Sequence, residues 1–178
     1  MTDNNQTILN FELEHIKKKA MIIGQAPPKK TDSIPFKKTR LYNWLSEAGI
    51  PQAEAICIFE FEALIDFFPG SGKKGDNKPT LIEIKKHIPK ILNKINTNEM
   101  TLIIPVGKMA IEQILGVENI KLSDHIGKVY NKHPFNAKTK SVSIVPLPHP
   151  SGLSTWVFKD EHSLLLKKAL LHIRNHLK

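Results

Sequence analysis

The chain has 178 residues, enough for one domain that buries roughly two thirds of the surface its unfolded form exposes. Its 26 basic and 17 acidic residues give a net charge of +9, and a single cysteine, Cys57, excludes an intramolecular disulfide framework and any Cys-rich zinc or iron–sulphur site. No apolar run approaches the ~20 residues that cross a bilayer, and Met1 to Gln6 is too polar for a signal sequence, so the expectation is a soluble cytoplasmic protein with no membrane partner.

In chain order, Ile8, Leu9, Phe11, Leu13 and Ile16 recur at helical spacing over residues 8–18, ending in three lysines that suit the negative end of a helix dipole. Ala20 to Ile23 is a short apolar run stopped by Gly24, a buried strand entering a loop. Thr39 to Ala48 carries Leu41, Trp44, Leu45 and Ala48 on one face and stops at Gly49 and Pro51, which predicts a helix. Ala55 to Ile65, rich in aromatic and branched residues, should contain the second strand, and Cys57 is expected to pack as a small apolar residue within a strand. Pro69 to Pro79 has three glycines and three lysines and reads as an exposed functional loop.

Thr80 and Glu83 form a capping-box pattern ahead of Leu81, Ile84, Ile88, Ile91, Leu92 and Ile95, so residues 81–96 predict a helix that Pro89 kinks or divides. Thr101 to Val106 follows as the third strand, Gly107 to Leu115 as a helix, Val142 to Leu147 as the fourth strand and Asp160 to Leu177 as a closing helix. Alternation of this kind predicts one α/β domain over residues 1–178, a three-layer α/β/α sandwich around a central, mostly parallel four-stranded sheet.

In open parallel sheets ligands bind beyond the carboxyl ends of the strands. Two proline-stiffened loops fall there, Gly24-Gln25-Ala26-Pro27-Pro28 and Pro148-His149-Pro150-Ser151-Gly152-Leu153-Ser154. Alone, His149 reads equally as a turn histidine and Pro-Ser-Gly as an ordinary turn. The positive charge is nearly all lysine, since Arg40 and Arg174 are the only arginines. Such a surplus fits sequence-independent contact with phosphates, and it fits equally a composition that is simply lysine-rich.

Together the two loops resemble the first and last motifs of the uracil-DNA glycosylase superfamily, Gly-(Gln/Glu)-(Asp/Ala)-Pro and (His/Asn)-Pro-Ser. The resemblance extends to Ser33-Ile34-Pro35-Phe36, Phe68-Pro69-Gly70 with Lys78-Pro79 and Glu83, and Pro105-Val106-Gly107 before Ala110, covering about residues 20–175. In pattern it is closest to the iron–sulphur branch. It implies a monomeric, DNA-binding enzyme of base-excision repair that flips a damaged nucleotide out of the helix and hydrolyses its N-glycosidic bond. DNA, duplex or single-stranded, is the implied partner.

On that resemblance His149 donates a hydrogen bond to the departing base, where negative charge builds, and Phe36 supplies the face on which the flipped base stacks. Gly24, Gln25, Ala26, Phe36 and Ala63 form the base pocket. Leu153 is the wedge inserted into the gap, Ser151, Gly152 and Ser154 meet phosphate, and Lys73, Lys74 and Lys78 hold the flanking backbone. For Phe36 the other reading is a core aromatic anchoring its loop, and for the lysines a solvated loop.

The sequence also departs from the pattern. Ala26 stands where one branch has a water-orienting aspartate, and Ala63 where the iron–sulphur branch has an asparagine that reads the uracil edge. Phe67 and His87 stand at two cluster-cysteine positions, so the expectation is no cluster, no metal and no cofactor. Asp32 is then the candidate carboxylate for stabilising an oxocarbenium-like sugar or its water, with a solvated turn aspartate as its other reading. Gln25 cannot act as a base, but its amide can hold base or water; Glu62 and Asp66 are weaker candidates. Three functions fit: an active glycosylase for uracil or a related deaminated base, a non-catalytic binder of uracil-containing or abasic DNA, and a hydrolase of small nucleosides, which the basic charge disfavours.

Overall fold

The computed structural model describes residues 18–30, 34–73, 75–152 and 154–178. The helix expected over 8–18, together with Asp32, Lys74 and Leu153, lies outside the described residues. Among those described, a mostly parallel sheet of five strands is ordered β2-β1-β5-β7-β6, from β1 (Ala20–Gly24), β2 (Phe59–Ala63), β5 (Leu102–Pro105), β6 (Tyr130–Lys132) and β7 (Val142–Ile144). β1 runs parallel to β2 and to β5, β5 parallel to β7, and β6 antiparallel on the edge. Every residue of β1 and β5 is buried, as expected of central parallel strands covered on both faces, and this is why they read as unbroken apolar runs.

The helices are α1 (Leu41–Glu47), α2 (Gln52–Ile58), α3 (Leu81–Thr97), α4 (Lys108–Leu115) and α5 (Asp160–Leu177). They complete the α/β sandwich, burying Leu41 and Leu45 of α1, Ile84, Ile91 and Ile95 of α3, Ile111 and Ile114 of α4 and Ile173 of α5. The capping box is present: Glu83 N–H donates to Thr80 Oγ1 at 3.3 Å, and Thr80 N–H to Glu83 Oε2 at 2.7 Å.

Four details differ from the sequence reading. The sheet gains a fifth strand, β6, whose Tyr-Asn-Lys has no apolar pattern and is held by pairing with β7, including a Ser143 Oγ to Asn131 Oδ1 hydrogen bond of 2.9 Å. The second strand lies within 55–65 as expected, but Cys57, expected within a strand, belongs to α2 and is a half-buried helical residue. Pro51 as N-cap and Glu54 in the first turn start that helix, and their signal outweighs the branched Ile56 and Ile58. Pro89 does not divide α3, which runs from Leu81 to Thr97; it and Lys85, whose carbonyl loses its amide partner, are both exposed residues. The loop after Pro69 folds into a small exposed hairpin, β3 (Ser71–Gly72) against β4 (Gly75–Asp76), closed by Asn77, which bonds the carbonyls of Gly70 and Pro69.

Candidate active site

Because β2, β1, β5 and β7 are parallel, their carboxyl ends share one edge of the sheet, and the loops after β1, β5 and β7 leave from it. β1 and β7 are not neighbours; β5 lies between them. Gly107, which follows β5, is therefore the natural seat for the loop that follows β7.

The first motif is built around a close approach. Gly24 ends β1 opposite Ala63, and its carbonyl accepts from Leu64 N–H at 3.0 Å. A Cβ at Gly24 would stand 2.9 Å from Phe36 Cζ, so the absence of a side chain lets the Phe36 ring lie over the strand end. Phe36 is half-buried; its ring centroid is 6.3 Å from that of Phe61, which is 6.5 Å from Tyr42. Phe36 thus anchors its turn against an aromatic group while keeping exposed surface, which accommodates both sequence readings of it. Its backbone is left-handed, φ 57°, a conformation that a bulky residue keeps only where its surroundings hold it. Thr39 Oγ1 donates to the Phe36 carbonyl at 2.7 Å, and the Tyr42 hydroxyl donates to Pro35 O at 2.7 Å.

The last motif rests on Gly107. That glycine has φ 87°, and a Cβ there would stand 3.1 Å from His149 Cδ2. His149 is an exposed residue between two buried prolines, and packing of its ring desolvates the imidazolium and holds the pKa below the ordinary 6.5. Ser151 N–H donates to Nδ1 at 3.3 Å. An Nδ1 that accepts carries no proton, so the neutral ring bears its hydrogen on Nε2. The arrangement presents a neutral imidazole N–H donor at the carboxyl edge of the sheet.

Helix α1 joins the two motifs. Thr39 and Tyr42 hold the Phe36 turn, while Arg40 N–H donates to Pro150 O at 2.9 Å and the Arg40 guanidinium reaches Gly152 O at 3.0 Å and Ser154 O at 3.2 Å. Sequence reasoning missed all three residues. The available signal was Arg40 itself, one of two arginines in a chain that otherwise uses lysine.

The remaining candidates divide. Gln25 and Ala26 are half-buried in the loop after β1, and Ala63 is half-buried at the end of β2. Ser151 and Ser154 are half-buried and bonded to each other, Ser154 N–H to Ser151 O at 3.1 Å, with Gly152 exposed between them in sequence. Lys73, at the tip of the hairpin, and Lys78 are exposed.

Glu62 and Asp66 are engaged elsewhere. Glu62 is hydrogen-bonded to Lys94 and Asp66 to Lys90 at 3.1 Å, and the Lys90 bond is the main reason the Asp66 carboxyl titrates below the usual range. Buried His87 sits between them, Nε2 3.9 Å from Glu62 and Nδ1 3.6 Å from Asp66. These contacts tie the end of β2 and the segment after it to α3, and they engage both carboxylates with α3 side chains. Among the described residues no three His, Cys, Asp or Glu side chains are grouped to hold a metal ion, and no helix is long and apolar enough to cross a membrane. A lone cysteine in α2 does not fit a four-iron cluster, which requires several thiolates.

No curated protein matches the sequence significantly. The family model described as the uracil DNA glycosylase superfamily matches residues 11–174, spanning both loops, the Phe36 turn and every strand of the central sheet. With a sheet whose parallel strand ends bring these motifs to one edge, the chain belongs to the uracil-DNA glycosylase superfamily.

Proposed function

We propose that this protein is a monomeric DNA glycosylase that excises uracil or a related deaminated base by flipping the nucleotide and hydrolysing its N-glycosidic bond. The observation that carries the reading is the Ser151 N–H bond to His149 Nδ1: with Nδ1 accepting, Nε2–H is the donor offered to the base. The flipped base stacks on Phe36, whose ring is seated over Gly24. As the C1′–N bond breaks, its electron pair moves into the base, and the Nε2–H bond to the base carbonyl strengthens as that oxygen gains charge. Water captures the oxocarbenium-like sugar at C1′ and gives up a proton that ends on the departed base anion, with Asp32 the proposed carboxylate for this step and the Gln25 amide holding base or water. Leu153 fills the vacated stack.

The test is incubation with a uracil-containing oligonucleotide followed by alkaline cleavage of abasic sites, repeated with hypoxanthine, xanthine and thymine mismatches. Strand scission at one of these bases is expected; intact strands throughout would leave the second reading. That reading, a non-catalytic binder of uracil-containing or abasic DNA, is favoured by Ala63, whose methyl at the strand end opposite Gly24 can read no base edge.

With exposed Lys73 and Lys78 and a net charge of +9, DNA affinity should fall by roughly 10³-fold between about 50 and 200 mM salt, through counterion release. Fluorescence anisotropy across that range measures the slope. A flat response would contradict an interface dominated by phosphate.

A further inference from the structure

We propose that Arg40 is a positioning residue, whose backbone N–H and guanidinium fork hold the loop from Pro148 to Ser154 in the conformation that presents His149 to the base. The inference rests on the role of His149 given above.

Arg40 contacts three carbonyls of that loop, Pro150 through its backbone and Gly152 and Ser154 through separate guanidinium nitrogens. The last two flank position 153, so the fork spans the part of the loop assigned to the wedge. Phe158 covers the guanidinium, with Cζ 4.8 Å from the ring centroid, which accounts for an aromatic residue left 67% exposed on the surface. A planar fork stacked on a ring has few orientations available, and it grips two carbonyls at once. Lysine, a single ammonium on a flexible stem, keeps the charge but cannot reproduce that geometry. Arg40 is also the N-cap of α1, preceded by Thr39 and followed by Tyr42, which fix the Phe36 turn, so the start of one helix sets both halves of the pocket.

Arg40→Lys and Arg40→Ala separate charge from geometry. Without DNA, the Ser151 and Ser154 amides, bonded to His149 Nδ1 and Ser151 O, should exchange their hydrogens about tenfold faster in both variants, because the loop opens more often. Single-turnover excision at saturating protein should fall roughly 10- to 100-fold in both, the scale of a small misplacement of a catalytic group. DNA affinity of Arg40→Lys should stay within about twofold of the parent, since the phosphate-attracting charge is kept. Thermal melting checks that each variant is folded. Parental excision and exchange in Arg40→Lys would reduce Arg40 to a charge and overturn the proposal, as would unchanged exchange in Arg40→Ala. If the parent excises no base, glycosylase activity fails, while the exchange rates still decide whether Arg40 holds the loop.

Discussion

Replacing His149 with alanine is expected to lower the single-turnover excision rate by roughly 10²–10³, the range for losing one oxyanion-type donor. DNA binding should change far less, because the Nε2–H bond strengthens mainly as charge develops on the base. His149→Asn keeps an amide N–H donor and should retain more activity than alanine. His149 is the acceptor for Ser151 N–H, so melting temperatures must accompany the rates.

The pH dependence has a definite sign. Desolvation of the ring where it packs places the folded-state pKa below the ordinary 6.5, so the ring is neutral at pH 7. Its contribution to stability is complete above the unfolded value of about 6.5 and diminishes as pH falls from there through the folded value. Protonation also removes the acceptor that orients the ring. Excision should therefore be level above about pH 7 and decline below 6.5. An acid limb retained unchanged in His149→Asn would assign it to another group, and parental rates in both folded variants would remove His149 from the mechanism.

The second large effect concerns Phe36. Phe36→Ala should slow excision by about 10- to 100-fold, equivalent to the ~1–3 kcal/mol of one base–aromatic stack. Alanine, however, leaves the left-handed backbone at φ 57° in place and also empties the seat over Gly24, so a loss of rate alone could reflect a disturbed turn. Phe36→Gly resolves this. Glycine accepts positive φ without the roughly 1 kcal/mol that alanine incurs there, so it should melt higher than Phe36→Ala while excising as slowly. If Phe36→Gly restores excision, the ring serves the turn and not the base. Gly24→Ala approaches the same contact from below: its Cβ, 2.9 Å from Phe36 Cζ, should displace the ring and slow excision with the His149 loop untouched.

How much of this was legible beforehand differs by the range of the interactions involved. The helix of residues 81–97 was readable because its signals are local: an N-cap pair three residues apart and an apolar repeat within one segment. β1 and β5 were readable because a strand buried on both faces must be apolar throughout. β6 was not, since an edge strand of Tyr-Asn-Lys takes its stability from its neighbour's backbone, and no pattern in those residues records the partner. Cys57 reads as a strand residue because it stands between Ile56 and Ile58, whose β propensity is a weak preference that the helix start at Pro51 overrides.

The site divides along the same line. Gly24, Phe36 and His149 could be named from short proline-bearing motifs, since loop stiffness and a strand-stopping glycine are written in adjacent residues. Which glycine supports which ring could not be read. Gly24 receives Phe36 from twelve positions onward, and Gly107 receives His149 from the end of the neighbouring strand, because the folded sheet pairs β5 with β7. Arg40 is the extreme case: one of two arginines on a lysine background, it marks itself in the sequence, but its partners are the carbonyls of Gly152 and Ser154, more than a hundred residues away. Backbone carbonyls are the same in every residue, so no side chain announces them, and only the tertiary structure decides which of them an arginine will hold.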